Sequence, residues 1–119
     1  MKNLRMAVLG LALTSAMSMA DDCVAPVAPD VPEGEDSTLE QMLAGQKAVK
    51  AFQTANVEYM SCLEPKLAAA EAAVKEGAEG AAEQYTALQE SYNAAVSREE
   101  ELAAKFNTEI RDYKTANPG

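Results

Sequence analysis

The sequence contains no histidine and no tryptophan among its 119 residues. Histidine is the side chain that most often acts as a general base near neutral pH, and it is the commonest transition-metal ligand. Its absence excludes serine triads, zinc sites that use histidine and haem held by histidine. Strand-forming residues are few and do not alternate over a useful length, so no phosphate loop follows a strand. We therefore expect no enzyme activity, no catalytic residue, no cofactor and no metal site.

The N-terminal segment has the residue order of a cleavable secretory signal. Basic residues precede the apolar run 6–13, and small residues lead to a cleavage site predicted between Ala20 and Asp21. Residues 1–20 are therefore read as a signal peptide. Because a spanning helix needs about 20 apolar residues and polar residues interrupt this run, we expect no stable membrane anchor after cleavage. The signal predicts the periplasm, and secretion outside the cell is the alternative.

Basic side chains are scarce in the remaining chain. Cleavage leaves 99 residues with 8 basic and 19 acidic side chains, a net charge of −11. Nucleic acids and anionic lipid head groups are bound through patches of Lys and Arg. Such partners are therefore not expected, whereas solubility or a basic partner suits this charge.

Proline is concentrated in the first part of the mature chain. Pro26, Pro29 and Pro32 recur every third residue within the leader 21–36. Polyproline II has three residues per turn, so the three prolines would share one face of an extended rod. A disordered acidic tail is the alternative reading of such a composition.

Only two cysteines are present, and an oxidising compartment predicts a disulfide between Cys23 and Cys62. If a helix starts at Ser37, it carries Cys62 about 37 Å along its axis. An extended leader spans about 43 Å, so it can turn at Glu33–Gly34 and return along this helix. An intermolecular bond or a redox pair is the alternative, although redox enzymes usually hold cysteines at Cys-x-x-Cys spacing.

Residues 37–116 are rich in helix-forming residues and predict long helices. Ser37 with Glu40, or Thr38 with Gln41, forms a capping box at the start. Large residues then recur every three or four positions, with Gln46 and Asn56 in the gaps, and Leu43 and Met60 widen the stripe. The members of this stripe are Leu39, Met42, Val49, Phe52, Tyr59 and Leu63.

Pro65 interrupts the first helical pattern. Within a helix, proline removes one hydrogen bond and clashes with the preceding turn. We expect the first helix to end near 63–66 and a short third piece to continue to about Lys75, with a single kinked helix as the alternative. Gly77 and Gly80 predict the turn that follows.

The last helix is predicted from about Ala81 to Thr115, before the tail 117–119. Its apolar positions follow steps of three and four, close to a heptad pattern. Glu99 breaks this pattern. We expect Val96 to supply the apolar contact there, and Glu99 to pair with Lys47 or Lys50 or to mark an oligomer interface. The residues proposed as an interaction seam are Tyr85, Leu88, Tyr92, Leu102, Phe106, Ile110 and Tyr113.

Together these patterns predict an all-α fold, an antiparallel helical hairpin with an extended N-terminal strap held by a disulfide. A lone hairpin buries little apolar surface. A protein partner or self-association through the seam is therefore expected.

The chain resembles a group of small exported bacterial helical proteins of unknown function. These proteins pair a cysteine in a Pro-rich leader with a second cysteine late in the first helix. The resemblance covers most of the mature chain, and it implies only a secreted helical fold without catalytic residues. It rests on the segments Gln46–Phe52, Tyr59–Leu63, Phe106–Asn107 and Arg111–Lys114.

Three functional classes remain from the sequence. The leading hypothesis is a non-enzymatic interaction module of the cell envelope, periplasmic or secreted. The first alternative is a periplasmic chaperone or stress protein that holds unfolded clients. The second is a cation-binding protein or enzyme that uses only carboxylates and tyrosines. The densest acidic run, Glu99–Glu101, supports this class poorly, because its side chains spread around the helix and cannot chelate one ion well.

Overall fold

The computed structural model describes residues 23–119, so the predicted signal peptide and its cleavage between Ala20 and Asp21 lie outside the described residues. Within 23–119 the chain forms a 3-10 helix, Gly34–Asp36, and two long helices, α1 (Leu39–Lys75) and α2 (Ala81–Ala116). No strand occurs in this range. The two helices pack against each other as an antiparallel hairpin, which confirms the predicted all-α fold.

Helix α1 begins with a capping box. The Thr38 Oγ1 accepts a hydrogen bond from the Gln41 N–H at 3.1 Å, and the Gln41 Oε1 accepts one from the Thr38 N–H at 2.8 Å. Two N–H groups that have no partner within the helix are thus satisfied. Of the two capping boxes predicted, the structure therefore uses the second.

Pro65 does not end α1. The predicted break near 63–66 and the short third piece after it are wrong, because the helix continues through Pro65 to Lys75. The proline leaves the Ser61 carbonyl without its usual donor, but both residues are exposed and water can reach this oxygen. Leu63 and Ala70 are buried on either side of Pro65, so packing against α2 holds the helix in one piece.

The turn between the helices depends on glycine. Gly77 and Gly80 have φ of 75° and 78°, in the left-handed region that side chains disfavour. The Gly77 N–H donates to the Val74 carbonyl and the Ala78 N–H donates to the Ala73 carbonyl, both at 3.0 Å. These two bonds form a Schellman motif, which satisfies the last carbonyls of α1.

The core is a heptad seam between the helices. Buried residues of α1 follow steps of three and four from Met42 through Phe52 to Asn56, as in a coiled coil. Leu39 and Leu43, expected within this stripe, are instead 57% and 54% exposed. The buried residues in this part of α1 are Met42 and Gly45. The apolar cluster at its centre consists of Met42, Val49, Phe52, Leu102 and Phe106.

The leader forms an extended strap along the hairpin. The Cys23–Cys62 disulfide, with a Cα–Cα distance of 5.6 Å, fixes its start, and Pro32 packs on Gly45. Nine strap residues therefore cover the length of seventeen residues of α1, about 26 Å. This rise of about 2.8 Å per residue is close to that of polyproline II. The three prolines are half-buried, while Val24 and Val27 are 77% and 90% exposed.

The end of the strap also contacts α2. The Gly34 N–H donates to the Glu109 Oε1 at 2.8 Å, and Val31 packs against the core cluster. A Cβ on Gly34 would collide with the Glu109 main-chain oxygen and lie 2.7 Å from the Tyr113 nitrogen. The strap therefore crosses from α1 to α2, whereas the sequence placed it along the first helix alone.

We expect the double substitution Cys23→Ser and Cys62→Ser to lower the free energy of unfolding by about 4 kcal/mol. The bond cross-links residues separated by 39 positions, and closing such a loop restricts the unfolded chain. Thermal denaturation followed by circular dichroism should show a lower Tm, and limited proteolysis should cut first within 24–36. An unchanged Tm with an unchanged cleavage rate there would show that the strap does not depend on the disulfide.

We expect Gly34→Ala to lower the free energy of unfolding by about 1–3 kcal/mol, because the new Cβ meets main-chain atoms of α2 that cannot rotate away. Chemical denaturation measures this change. Ala28→Ser is the matched control, since Ala28 is an exposed strap residue, and its effect should stay within about 0.5 kcal/mol. Equal stabilities for the two variants would contradict close packing of the strap end on α2.

Candidate interaction surface

The strap covers one side of the hairpin from the end away from the turn as far as Cys62, and we call this whole side the strap face. It contacts α1 at Gly45, under Pro32, and at Cys62, through the disulfide. Beyond Cys62 this side continues toward the turn as a shallow cleft between Ala70 and Leu88. The cleft is lined by alanines and Leu88 together with Lys66, Gln84 and Ser91, so it is partly apolar but contains no strongly exposed large apolar side chain.

The opposite side of the hairpin has two clefts that belong to one continuous face. One lies at the end away from the turn, between Leu43 and Ile110. The other lies near the turn, between Glu64 and Gln89. On each helix the two cleft residues are 21 positions apart, which is three heptads, so they occupy equivalent positions.

The large apolar side chains that the helices expose lie on this second side. Val57 lies one heptad before Glu64, and Val96 lies one heptad after Gln89, so both fall between the two clefts. Leu39 lines the first cleft, and Val74 lies one heptad beyond Leu67 of the second. We call this side the open face. Among residues 23–119, its exposed large apolar residues are Leu39, Leu43, Val57, Val74 and Val96, with exposed fractions of 57%, 54%, 52%, 38% and 36%.

The interaction seam predicted from the sequence is divided between the core and these faces. Leu102 and Phe106 are buried inside the hairpin. Ile110 and Tyr113 are half-buried against the core cluster and line the first open-face cleft. Tyr85 and Tyr92 line the second open-face cleft, and Leu88 lies on the strap face. The hairpin thus uses part of the seam for its own packing, and an intermolecular role of the seam stays a prediction.

A polar pair lies in the middle of the buried interface between α1 and α2. Asn56 is fully buried, and its Nδ2 donates to the Ala95 carbonyl at 2.9 Å and to the Glu99 Oε1 at 3.3 Å. The Asn56 Oδ1 is buried without a hydrogen-bond partner. Glu99 therefore pairs with Asn56, and the predicted pairing with Lys47 or Lys50 is wrong.

The contact expected at the seam break is also different. Val96 was predicted to replace Glu99 as the apolar residue, but it is 36% exposed on the open face, whereas the Ala95 side chain is fully buried. A small residue at this point lets the helices approach closely enough for Asn56 to reach the Ala95 carbonyl. Buried polar groups of this kind favour one register of a coiled coil at a cost in stability.

Sequence reasoning missed the open face because it placed Leu39 and Leu43 in the core stripe. The signal that could have found it is the heptad register. Gly45, Phe52 and Asn56 define the seam at steps of seven and four, and this register places Leu43 and Val57 beside the seam, two heptads apart. Exposed apolar residues at heptad positions are typical of a helix that packs against a further helix.

Residues 23–119 show neither a metal-binding cluster nor a membrane-spanning helix. No group of carboxylates or thiols there is arranged to hold a metal ion. No helix in this range is long and apolar enough to span a bilayer. The ion pair between Lys75 and Glu71, at 3.9 Å, lies on the surface of α1 and contributes little to stability.

Comparison with known proteins finds no match, either to a protein-family model, to a curated protein or to a solved structure. The resemblance to small exported bacterial helical proteins therefore stays a prediction, and function has to be argued from the surfaces of the hairpin.

We expect Asn56→Leu to be as stable as the wild type or more stable, because an apolar side chain of similar size removes the buried Oδ1 that has no partner. Asn56→Ala leaves a cavity and should lower the free energy of unfolding by about 1–3 kcal/mol. Thermal and chemical denaturation of both variants measure this difference. A loss for Asn56→Leu as large as that for Asn56→Ala would show that the asparagine stabilises the hairpin by its hydrogen bonds.

Proposed function

We propose that this protein is a non-enzymatic helical interaction module of the cell envelope, periplasmic or secreted, that binds a protein partner through its open face. The observation that carries the proposal is the row of exposed Leu and Val side chains, Leu43, Val57 and Val96 among them, on the side of the hairpin without the strap. Exposed apolar patches on small proteins mark interaction sites. The disulfide is consistent with an oxidising compartment.

The spacing of these residues favours a helical partner. Leu43 and Val57 are two heptads apart on α1, and Val96 lies level with Val57 on α2, as the contact of Asn56 with Ala95 shows. A partner helix lying along the groove between α1 and α2 would meet these apolar residues two heptads apart on α1, with the valine of α2 level with the second of them. The alternative role, a chaperone for unfolded clients, calls for a surface that tolerates many registers, so this regular spacing favours it less.

The proposal is tested by capture from cell-envelope extracts with immobilised wild-type protein and two variants. Val57→Glu places a carboxylate in the middle of the open face and should reduce capture by at least about tenfold, since a buried unpaired charge is costly. Val27→Glu is the matched control, because Val27 is 90% exposed on the strap, and it should leave capture unchanged. Bound proteins are compared by mass spectrometry and stability by circular dichroism.

The same proteins bound by both variants in equal amounts would contradict a role of the open face. A stable monomer that captures nothing from these extracts would contradict the interaction module as a whole.

A further inference from the structure

We infer that the partner on the open face is a second copy of this chain, so that two hairpins form an antiparallel four-helix bundle. This inference rests on the proposed function and names its partner. The two copies are related by a two-fold axis that runs along the hairpin, between the open faces. Each α1 then lies over the partner's α2, and residues that are level within one hairpin face each other between the two.

The apolar residues of the open face match under this symmetry. Val57 is level with Val96 beside the Asn56–Ala95 contact, so Val57 meets the partner's Val96. Leu43 and Ile110 line the same cleft, so Leu43 meets the partner's Ile110. The two-fold axis generates each of these contacts twice. The end of the hairpin away from the turn, which exposes apolar residues, then packs against the same end of the partner. The alternative axis, across the hairpin, would place Leu43 opposite the partner's Glu71, which matches poorly.

One charged residue of each helix in the middle of this face finds an opposite charge under the same symmetry. Lys50 lies one heptad from both Leu43 and Val57, in the middle of the α1 row. The helical turn of α2 that is level with Lys50 contains Glu100 and Ala103. Glu100 lies two heptads before Lys114, which lines the open-face cleft, so Glu100 belongs to the same face. Lys50 therefore reaches the partner's Glu100. The symmetry makes two such pairs, one on each side of the axis.

The size of the open face suits a stable dimer. A helix of 37 residues is about 55 Å long, and two helices about 10 Å apart present a face about 20 Å wide. This face is about 1,100 Å² in projection, above the roughly 800 Å² per partner that stable interfaces bury. The net charge of −11 does not prevent association, because charges on the far sides of the hairpins are separated by more than the screening length of about 8 Å.

Sedimentation velocity of the mature, disulfide-bonded protein between about 5 and 200 μM, a range that covers affinities typical of modest interfaces, tests the inference. The wild type and Val27→Glu should sediment as dimers at the upper concentrations, and Val57→Glu as a monomer. Lys50→Glu should weaken the dimer by about fivefold, because each dimer loses two exposed ion pairs. The double variant Lys50→Glu with Glu100→Lys should restore dimerisation. If either substitution acted only by destabilising the hairpin, combining the two would not restore the dimer.

The orientation is tested by cysteine cross-linking, since no free cysteine occurs in residues 23–119 of the wild type. A mixture of Val57→Cys and Val96→Cys should form a mixed disulfide on mild oxidation, and Val57→Cys alone should not. Efficient cross-linking of Val57→Cys to itself would overturn the proposed symmetry. A wild type that is still monomeric at 200 μM, a concentration above the dissociation constants of stable protein dimers, would overturn self-association. Capture of another protein that depends on Val57 would, in that case, still support the interaction module.

Discussion

The strap is tied to both helices, and this double attachment determines which surfaces the hairpin leaves free. The Cys23–Cys62 disulfide joins its start to α1, and the hydrogen bond from the Gly34 N–H to Glu109 joins its end to α2. Between these points Val31 adds to the core cluster and Pro32 packs on Gly45. A two-helix hairpin has two open sides. The strap covers one of them as far as Cys62, and the large apolar side chains that the helices expose lie on the other.

The seam of the hairpin explains why the open face is regular. Asn56 and Glu99 form a polar pair in an otherwise apolar interface, and the Asn56 Nδ2 reaches the Ala95 carbonyl across it. A hairpin that slipped by one turn would leave the buried Asn56 without both acceptors, which is costly. The register that this pair favours also places Val57 level with Val96. The polar contact inside the hairpin therefore aligns the apolar residues outside it.

Much of the fold follows from local patterns in the sequence. Periodicity predicted two long helices, the Thr38–Gln41 pair predicted a capping box, and Gly77 and Gly80 predicted the turn, because each of these signals acts over a few residues. The disulfide followed from the cysteine count and from a comparison of lengths. These features depend on chain geometry and not on the details of packing.

The features that sequence reasoning missed depend on contacts between distant segments. Pro65 was expected to end the first helix, but its exposed position and the buried Leu63 and Ala70 on either side keep α1 continuous. Leu39 and Leu43 were expected in the core, but the seam passes through Gly45, where Pro32 of the strap needs close approach. Neither the strap's path onto α2 nor the open face could be recognised before the register of the two helices was known.

We propose that the strap closes its side of the hairpin as far as Cys62 and that the open face binds a second hairpin. Methyl NMR of the folded protein with a soluble paramagnetic agent, recorded over a dilution series, measures the accessibility of both faces at once. We expect the methyl groups of Val31 to be protected at every concentration and those of Val27 to be accessible at every concentration. The methyl groups of Val57 and Val96 should change together from accessible to protected as concentration rises. Val57 and Val96 methyl groups whose accessibility is the same at the lowest and the highest concentration would contradict binding of a second hairpin to the open face.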